Sequence, residues 1–150
     1  MTEEMALRPP IDNVVQKARA ALEEGKLLGL KCKKCGTYSI LLAGYSCRHC
    51  GSFDLNQVEL SGKARLMPCA SIVYPLAEGF VEAGQPYLCG VVELEEGPLM
   101  TARIYDVPNF DFKNKPEQIL DLIGMKLKMD IRVETVLGME GQYCICFVPA

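Results

Sequence analysis

The fold of this chain is decided by two matching stretches, Cys32-Lys33-Lys34-Cys35-Gly36 and Cys47-Arg48-His49-Cys50-Gly51. In each stretch two residues separate the cysteines, so a tight turn can aim both sulfurs at one point. The glycine that follows frees backbone amides to donate to the thiolates. Two such turns supply four sulfurs in a tetrahedron, which leaves no position open for water. The spacing therefore predicts one structural zinc ion, with the ligands Cys32, Cys35, Cys47 and Cys50.

Two other interpretations of these cysteines stay open. Thiolate tetrahedra also hold redox-active iron, and reduced cysteines can simply pack in a core. His49 is the only histidine of the chain and lies between two proposed ligands. Because four cysteines already complete the site, we expect His49 to stay in solvent. Metal analysis of the purified protein distinguishes zinc from iron.

Four further cysteines lie in segments that resemble β-strands. Free cysteines in such positions usually behave as small buried hydrophobic residues. We therefore expect core packing, and not a second metal site, for Cys69, Cys89, Cys144 and Cys146. The last two are two residues apart, so they would share one face of their strand.

Composition indicates a folded protein in a reducing compartment. Of the 150 residues, 49% are hydrophobic, which is enough for a core. The acidic start at Met1–Glu4 precedes no apolar region, and no uncharged run is long enough to span a membrane. Paired cysteines that stay reduced favour metal binding. We therefore predict a cytoplasmic protein with no membrane association, and its net charge of -3 argues against broad binding to nucleic acid.

The chain divides into three segments by pattern: an N-terminal helix and lead-in at 1–30, the zinc ribbon at 31–55 and a barrel at 56–150. Apolar residues recur at helical spacing between Ile11 and Glu24, at Val14, Val15, Ala18, Ala21 and Leu22. Asp12 or Asn13 is the expected N-cap, and Gly25 is the expected C-terminal stop. The stripe of this amphipathic helix must be covered by the chain or by a partner.

Beyond the ribbon, β-branched and aromatic residues alternate with turn signals. We predict five strands at 58–74, 87–95, 99–105, 126–136 and 143–148, with turns at Glu96–Pro98 and at 138–141. A short helix is expected at 116–123, started by Pro116 and ended by Gly124. The fold class is therefore mainly β, with a five-stranded OB-type barrel after the ribbon. A six-stranded or sandwich arrangement stays open.

The order of these features resembles a known family. The motifs are the N-terminal helix, the two cysteine stretches, Val58-Glu59-Leu60-Ser61-Gly62, Pro86-Tyr87, Val91-Val92-Glu93-Leu94-Glu95-Glu96-Gly97-Pro98, Ile123-Gly124-Met125 and Phe147-Val148-Pro149. In this order, over residues 11–149, the chain resembles the acyl-CoA-associated proteins that join a rubredoxin-like zinc ribbon to an OB-fold. It departs from them at Ser39–Tyr45, where they carry a proline-rich run with a basic residue. It departs again after Gly62, where Ala64 replaces a second glycine.

The resemblance implies a non-catalytic subunit that assembles with an acyl-CoA enzyme. The implied partner is a thiolase-like protein, or alternatively a hot-dog-fold enoyl-CoA hydratase. The compact form with one N-terminal helix is most similar to the small subunits of benzoylsuccinyl-CoA thiolases, which would place it in the degradation of an aromatic acyl-CoA. The implied metal ligands are the same four cysteines.

The residues themselves argue against an enzyme. Thiolase chemistry requires two cysteines and activating histidines, and His49 is the only histidine here. No nucleophile elbow or phosphate-binding glycine loop is present. We therefore expect no catalytic residues, and a hetero-oligomer in which the partner supplies the chemistry. The helix stripe and Ile40-Leu41-Leu42 at the ribbon tip are the expected contact surface.

Charge within the ribbon suggests one further role. No acidic residue occurs from Gly25 to Phe53, whereas five basic residues do: Lys26, Lys31, Lys33, Lys34 and Arg48. This charge offsets the negative field of a zinc tetrathiolate, and Lys33, Lys34 and Arg48 are candidates for contacts with coenzyme A phosphates. Zinc ribbons and OB barrels also bind single-stranded nucleic acid, which stays an alternative function although Trp is absent.

Overall fold

The computed structural model describes residues 11–41, 46–73, 87–133 and 141–150, with side chains from Val15 onward. The chain forms two compact units. The first unit comprises the residues up to Ser61 together with Glu96–Pro98. The second comprises Gly62–Glu95 and Leu99–Ala150. In the parts described, no helix has the length and apolar character needed to cross a membrane.

Helix α1 opens the first unit and spans Ile11–Glu23. The predicted caps were wrong: the helix already begins at Ile11, so Asp12 and Asn13 lie inside it. Gly25 ends the helix as predicted, with a φ of 78°. Its amide donates to the carbonyl of Leu22, and the amide of Lys26 donates to that of Ala21. These bonds satisfy carbonyls that the helix end leaves free.

Three short antiparallel strands form the ribbon sheet: β1 (Leu27–Cys32), β2 (Tyr38–Ile40) and β3 (Leu55–Leu60). β1 lies in the middle, between β2 and β3. A Cβ on Gly29 would lie 2.7 Å from the carbonyl oxygen of Ser39 and 2.8 Å from Cδ1 of Leu60. The close approach of the three strands therefore requires glycine at this central position.

The ribbon buries part of the apolar surface that the sequence suggested would be exposed. Leu41 is buried, with 7% of its surface accessible, and Ile40 is half-buried. The prediction that Ile40–Leu42 forms an exposed tip was therefore wrong for Leu41, and Leu42 lies outside the described residues. On α1, only Ala21 is buried among the described side chains. Val15, Ala18 and Leu22 stay partly exposed along the stripe.

Five strands close into a barrel in the second unit: β4 (Lys63–Val73), β5 (Tyr87–Leu94), β6 (Leu99–Ile104), β7 (Lys126–Val133) and β8 (Tyr143–Pro149). Their order is β4-β5-β6-β8-β7, and β7 pairs again with β4. The β6 and β8 strands run parallel, and the other neighbours run antiparallel. The predicted five-stranded barrel is confirmed, which excludes the sandwich and six-stranded alternatives.

The predicted strand at 58–74 is two strands that belong to different sheets. Ser61 and Gly62 separate the two strands, and Gly62 adopts a φ of 74°. β3 completes the ribbon, and β4 begins the barrel. The amide of Ser61 donates to Oε1 of Glu96.

Alternating side chains fill the barrel interior. On β5, every second residue from Leu88 to Leu94 is buried, including Gly90, while Cys89, Val91 and Glu93 are partly exposed. They meet fully buried residues from the other strands: Leu66, Ile104, Leu127 and Phe147. The register between β4 and β5 shifts between Leu66 and Ala70. Such a bulge bends a strand and helps a small sheet to close.

Where the structure describes the connections between strands, the turns lie at the glycine and proline residues that predicted them. The hairpin at Glu96–Pro98 joins β5 to β6, with a φ of 110° at Gly97. The short helix is present at Pro116–Leu122 but is a 3-10 helix. Gly124 follows with a φ of 84°, and its amide donates to the carbonyl of Leu66 on β4. The predicted turn at 138–141 and the strand end at 134–136 lie outside the described residues, except for Gly141.

Candidate metal centre

The two cysteine stretches form turns with the same backbone hydrogen bonds. In the first, the amide of Gly36 donates to the carbonyl of Cys32 at 2.9 Å, and in the second, the amide of Gly51 donates to that of Cys47 at 2.9 Å. Gly36 and Gly51 have φ values of 76° and 73°. Because this left-handed backbone favours glycine, each turn depends on the glycine that follows its cysteine pair.

These turns bring the four cysteine sulfurs together. All four lie within 4.8 Å of one another. The Sγ atoms of Cys32 and Cys50 are 3.6 Å apart, and those of Cys35 and Cys47 are 3.4 Å apart. Cys32 and Cys47 are buried, and the other two lie nearer the surface. The cluster therefore joins two turns that are separated in sequence.

The arrangement fits a metal ion bound by four thiolates. Zn–S bonds of about 2.3 Å place tetrahedral sulfurs about 3.8 Å apart, close to the two measured pairs. Backbone amides of Lys34, Cys35, Thr37 and Ser52 donate to cluster sulfurs and stabilise negative charge there. Four protein ligands leave no coordination position for a substrate, so such a site stabilises the fold.

Two family models match successive parts of the chain. Residues 19–56 match the rubredoxin-like zinc ribbon domain of ChsH2, and residues 57–132 match its C-terminal OB-fold domain. The chain belongs to the ChsH2 (DUF35) family. The predicted zinc ribbon and OB-fold are both confirmed by these matches.

Relatives of this DUF35 protein span most of its length. It is 32% identical over 128 residues to a DUF35 domain-containing scaffold protein of Methanocaldococcus jannaschii, covering 85% of this chain and 83% of that one. Its fold is similar to the solved structure of an Ltp2-ChsH2(DUF35) aldolase, with a TM-score of 0.65, 24% identity and coverage of 95% and 98%. It is also similar to a DUF35 protein of unknown function from Sulfolobus solfataricus, with a TM-score of 0.56, 18% identity and coverage of 91% and 85%.

Hydrogen bonds give the cluster thiols different pKa values in the metal-free DUF35 chain. The hydroxyl and backbone amide of Thr37 lower the pKa of Cys35 to about 5. The amide of Cys35 is the main cause that lowers the pKa of Cys32. At Cys50, the amide of Ser52 lowers the pKa, but burial and the neighbouring thiols outweigh it and raise the pKa to about 11. One thiol is therefore ionised at neutral pH, and another holds its proton.

We predict that the affinity for zinc rises with pH. A zinc-bound sulfur is a thiolate, so the ion must displace the proton of Cys50, whose pKa of about 11 lies above neutral pH. Cys35 contributes little to this rise between pH 6 and pH 8, because its pKa of about 5 leaves it mostly ionised there. From pH 6 to pH 8, each displaced proton strengthens binding by roughly 100-fold, so displacement of the Cys50 proton alone should give at least that increase. Competition with a chromogenic chelator measures this change, and an affinity independent of pH would contradict it.

The positive charge of the stretch from Gly25 to Phe53 is partly matched by two acidic residues that flank this stretch. Nζ of Lys33 lies 3.1 Å from Oδ1 of Asp54, and Nζ of Lys26 lies 3.1 Å from Oε2 of Glu24. The ammonium of Lys31 lies 5.1 Å from the centre of the Tyr38 ring. The candidate phosphate contacts Lys34 and Arg48 are exposed, as is His49. Lys33 is therefore paired within the chain, whereas Lys34 and Arg48 face solvent.

The other four cysteines differ in burial. Cys146 is fully buried, and burial is the main cause that raises its pKa to about 11. Cys89 and Cys144 are half-buried, whereas Cys69 is exposed, so the prediction of core packing was wrong for Cys69. Its strand has one face open to solvent at that position. Across the described ranges, the only group of three or more metal-ligating side chains close enough to share an ion is the four-cysteine cluster.

Sequence reasoning missed a basic groove on the barrel. β4 and β7 line it with Lys63, Arg65, Lys126 and Lys128, and its volume is about 610 Å³. The two pairs are about 60 residues apart in sequence but face each other in the sheet. The alternating patterns Lys63-x-Arg65 and Lys126-x-Lys128 were the available signal, because alternate strand residues share a face.

Proposed function

We propose that this DUF35 protein is a non-catalytic accessory subunit that assembles with a thiolase-like acyl-CoA enzyme and supports its fold and activity. The substrate would be an aromatic or other acyl-CoA, as in benzoylsuccinyl-CoA thiolases. The relationship to a scaffold protein over 85% of the chain carries this proposal. The similar solved structure, in which the name of a ChsH2 protein is joined to that of an aldolase, supports a catalytic partner of this general kind.

The chemistry of the described residues supports a role without catalysis. The single histidine, His49, is exposed and adjoins Cys50, a proposed metal ligand. The cluster cysteines are committed to a closed metal site. Burial holds Cys146 in the protonated form, which is a poor nucleophile. The partner must therefore bring the reacting groups.

The proposed metal is zinc with a structural role. A module as small as the ribbon buries little apolar surface. Bonds to a metal ion therefore supply the folding free energy that a hydrophobic core would otherwise provide. Zinc suits a site of four thiolates that needs no change of oxidation state. None of the eight cysteines, all of which the structure describes, is in a disulfide, which supports a reducing, cytoplasmic setting.

Exposed apolar side chains support a protein partner. Leu120 within the 3-10 helix and Ile123 just after it are 68% and 41% exposed. Phe53 of the ribbon is 51% exposed, and α1 keeps a partly exposed apolar stripe. Surfaces of this kind favour contact with another protein. Contacts of Lys33, Lys34 or Arg48 with coenzyme A phosphates stay a prediction.

Co-purification and activity assays test the proposed function. The tagged chain should isolate a thiolase-like enzyme from its host, and the reconstituted complex should cleave an acyl-CoA by thiolysis or form it by the reverse condensation. The catalytic chain alone should be less active or less stable, and the accessory chain alone should be inactive. A well-folded monomer that retains no acyl-CoA enzyme would refute this function. Hydration of an enoyl-CoA by the complex would instead favour a hot-dog-fold hydratase as the partner.

One observation keeps the nucleic-acid alternative testable. Near β5 and β6, the rings of Tyr87 and Tyr105 lie 6.1 Å apart, and Arg103 lies 5.1 Å from the centre of the Tyr87 ring. Aromatic and arginine side chains can stack on bases. Salt-dependent retardation of single-stranded DNA or RNA in a gel would support this alternative over the accessory role.

A further inference from the structure

The outer edge of the ribbon sheet is formed by β3. This strand pairs with β1 on one side through six consecutive residues, and in the described part of the chain no strand pairs with its other side. Natural proteins usually protect such an edge with a proline, a lysine, a bulge or a very short strand. β3 has none of these features, because its sequence is Leu-Asn-Gln-Val-Glu-Leu and its register does not shift. The edge is therefore suited to pairing with another strand.

The hydrogen bonds of the ribbon show which backbone groups of β3 face outward. The amide of Lys33 donates to the carbonyl of Asp54 at 3.0 Å, on the side that faces β1. Because hydrogen-bonded pairs recur at every second residue of an antiparallel ladder, Asn56, Val58 and Leu60 also bond toward β1. The amides and carbonyls of the residues between them point away from β1, and these residues are Leu55, Gln57 and Glu59.

The outward groups are not used within the described residues. No hydrogen bond joins the outward amides or carbonyls of Leu55, Gln57 and Glu59 to another described group. The next outward amide is already bonded, because that of Ser61 donates to Oε1 of Glu96 at 2.6 Å. The open part of the edge therefore ends at Glu59, and an added strand has to pair with the residues before Ser61.

We propose that a second copy of this chain adds to this edge, with the two β3 strands antiparallel about a two-fold axis at Val58. In this register, Gln57 of each chain lies opposite Glu59 of the other, and both pairs exchange backbone hydrogen bonds. The side-chain amide of Gln57 then donates to the carboxylate of Glu59, which is the only charged residue of β3. The edge is therefore complementary to itself, and no like charges meet across it.

The neighbouring registers fit less well. An axis at Gln57 would place Leu55 opposite Glu59, which leaves the carboxylate without a side-chain donor. An axis at Asn56 would place Glu59 opposite a residue that lies outside the strand. Only the axis at Val58 also brings this apolar side chain against its own copy, in the non-hydrogen-bonded position where facing side chains are closest.

Two substitutions at one exposed position test the pairing with opposite expected signs. In the zinc-loaded full-length chain, Gln57→Glu places like charges opposite each other twice in the dimer, whereas Gln57→Lys places opposite charges there. We expect the first to weaken dimerisation by about fivefold and the second to strengthen it by about fivefold. Gln57 is exposed, so the fold should persist in both variants. Sedimentation equilibrium measures the dissociation constants. Equal dimerisation of the two variants, or an unsubstituted chain that stays monomeric up to millimolar concentration, would overturn the proposal.

Disulfide trapping tests the register. With zinc bound and Cys69→Ser as the background, Val58→Cys should give a covalent dimer on treatment with oxidised glutathione. Facing residues in a non-hydrogen-bonded pair lie about 4.5 Å apart at Cα, which is within the range of a disulfide. The matched control is Asn56→Cys on the same face, which should stay monomeric because position 56 lies opposite Leu60 of the second copy. Cross-linking at position 56 but not at position 58 would overturn the proposed axis.

A comparison with the catalytic partner separates two occupants of the edge. If the chain stays monomeric and the two Gln57 variants change its affinity for the acyl-CoA enzyme in opposite directions, the edge belongs to that enzyme and the proposal fails. If the dimer forms as described but no acyl-CoA enzyme co-purifies, the proposed accessory function fails and this inference stands.

Discussion

Replacing Cys35 with serine should abolish stoichiometric zinc binding and unfold the ribbon. Cys35 Sγ lies 3.4 Å from Sγ of Cys47, so its loss opens the cluster between the two turns. Structural zinc contributes about 10–16 kcal/mol in comparable small modules, far more than a three-stranded sheet can replace. Elemental analysis measures the metal, and amide spectra measure the order of β1, β2 and β3.

Loss of the ion should also prevent assembly, because we expect the ribbon to lose its ordered surface without the ion. The matched control is Cys69→Ser, which changes an exposed cysteine outside the cluster. This variant should keep one zinc per chain and bind the partner normally. A Cys35→Ser chain that remains metal-free, natively folded and bound to its enzyme would contradict the structural role of the site.

Replacing Phe147 with alanine should destabilise the barrel by about 3–5 kcal/mol, the cost of a large cavity in a packed core. Phe147 is fully buried on β8, where it pairs with Ile104 on one side and Met129 on the other. Its ring therefore fills the barrel interior at β8, the strand that lies between β6 and β7. Urea unfolding, followed by fluorescence of the tyrosines, measures the change in free energy.

The control for this substitution is Phe53→Ala. Phe53 is 51% exposed, so its removal should change the free energy of unfolding by less than about 1 kcal/mol. The Phe147→Ala chain should keep its zinc, because all four cluster cysteines belong to the first unit. If the Phe147→Ala chain loses both its zinc and the structure of its barrel, the two units fold cooperatively and not independently.

The local features of this fold could be predicted from the sequence because they depend on residues that are close together in the chain. Each cysteine pair and its glycine specify one turn, and the turns determine the cluster. Alternation along β5 and the turn at Gly97 specify a hairpin without any knowledge of the rest of the chain. Gly25 likewise ends α1 because its positive φ suits glycine.

Features that depend on pairing could not be read in the same way. The run at 58–74 is rich in strand-forming residues, but strand propensity does not specify which sheet a strand joins. Ser61-Gly62 was the signal for the break. Burial was equally context-dependent: Leu41 is covered by the ribbon, and Cys69 lies on the open face of its strand.

The basic groove shows the same dependence on register. Lys63 and Lys128 lie 65 positions apart in the sequence, and only the pairing of β4 with β7 brings them opposite each other. A shift of one residue would turn Lys126 and Lys128 toward the interior. The groove therefore follows from the topology of the barrel, which the alternating pattern alone does not provide.

The place of β8 between β6 and β7 has a consequence for biosynthesis. Since β8 follows the other four barrel strands along the chain, both of its neighbours keep unpaired edges until β8 has emerged from the ribosome. Exposed edges of this kind recruit other chains and promote aggregation. The cysteines of the ribbon precede the barrel and can already bind their metal, so the nascent barrel is most prone to aggregation until β8 pairs with its neighbours.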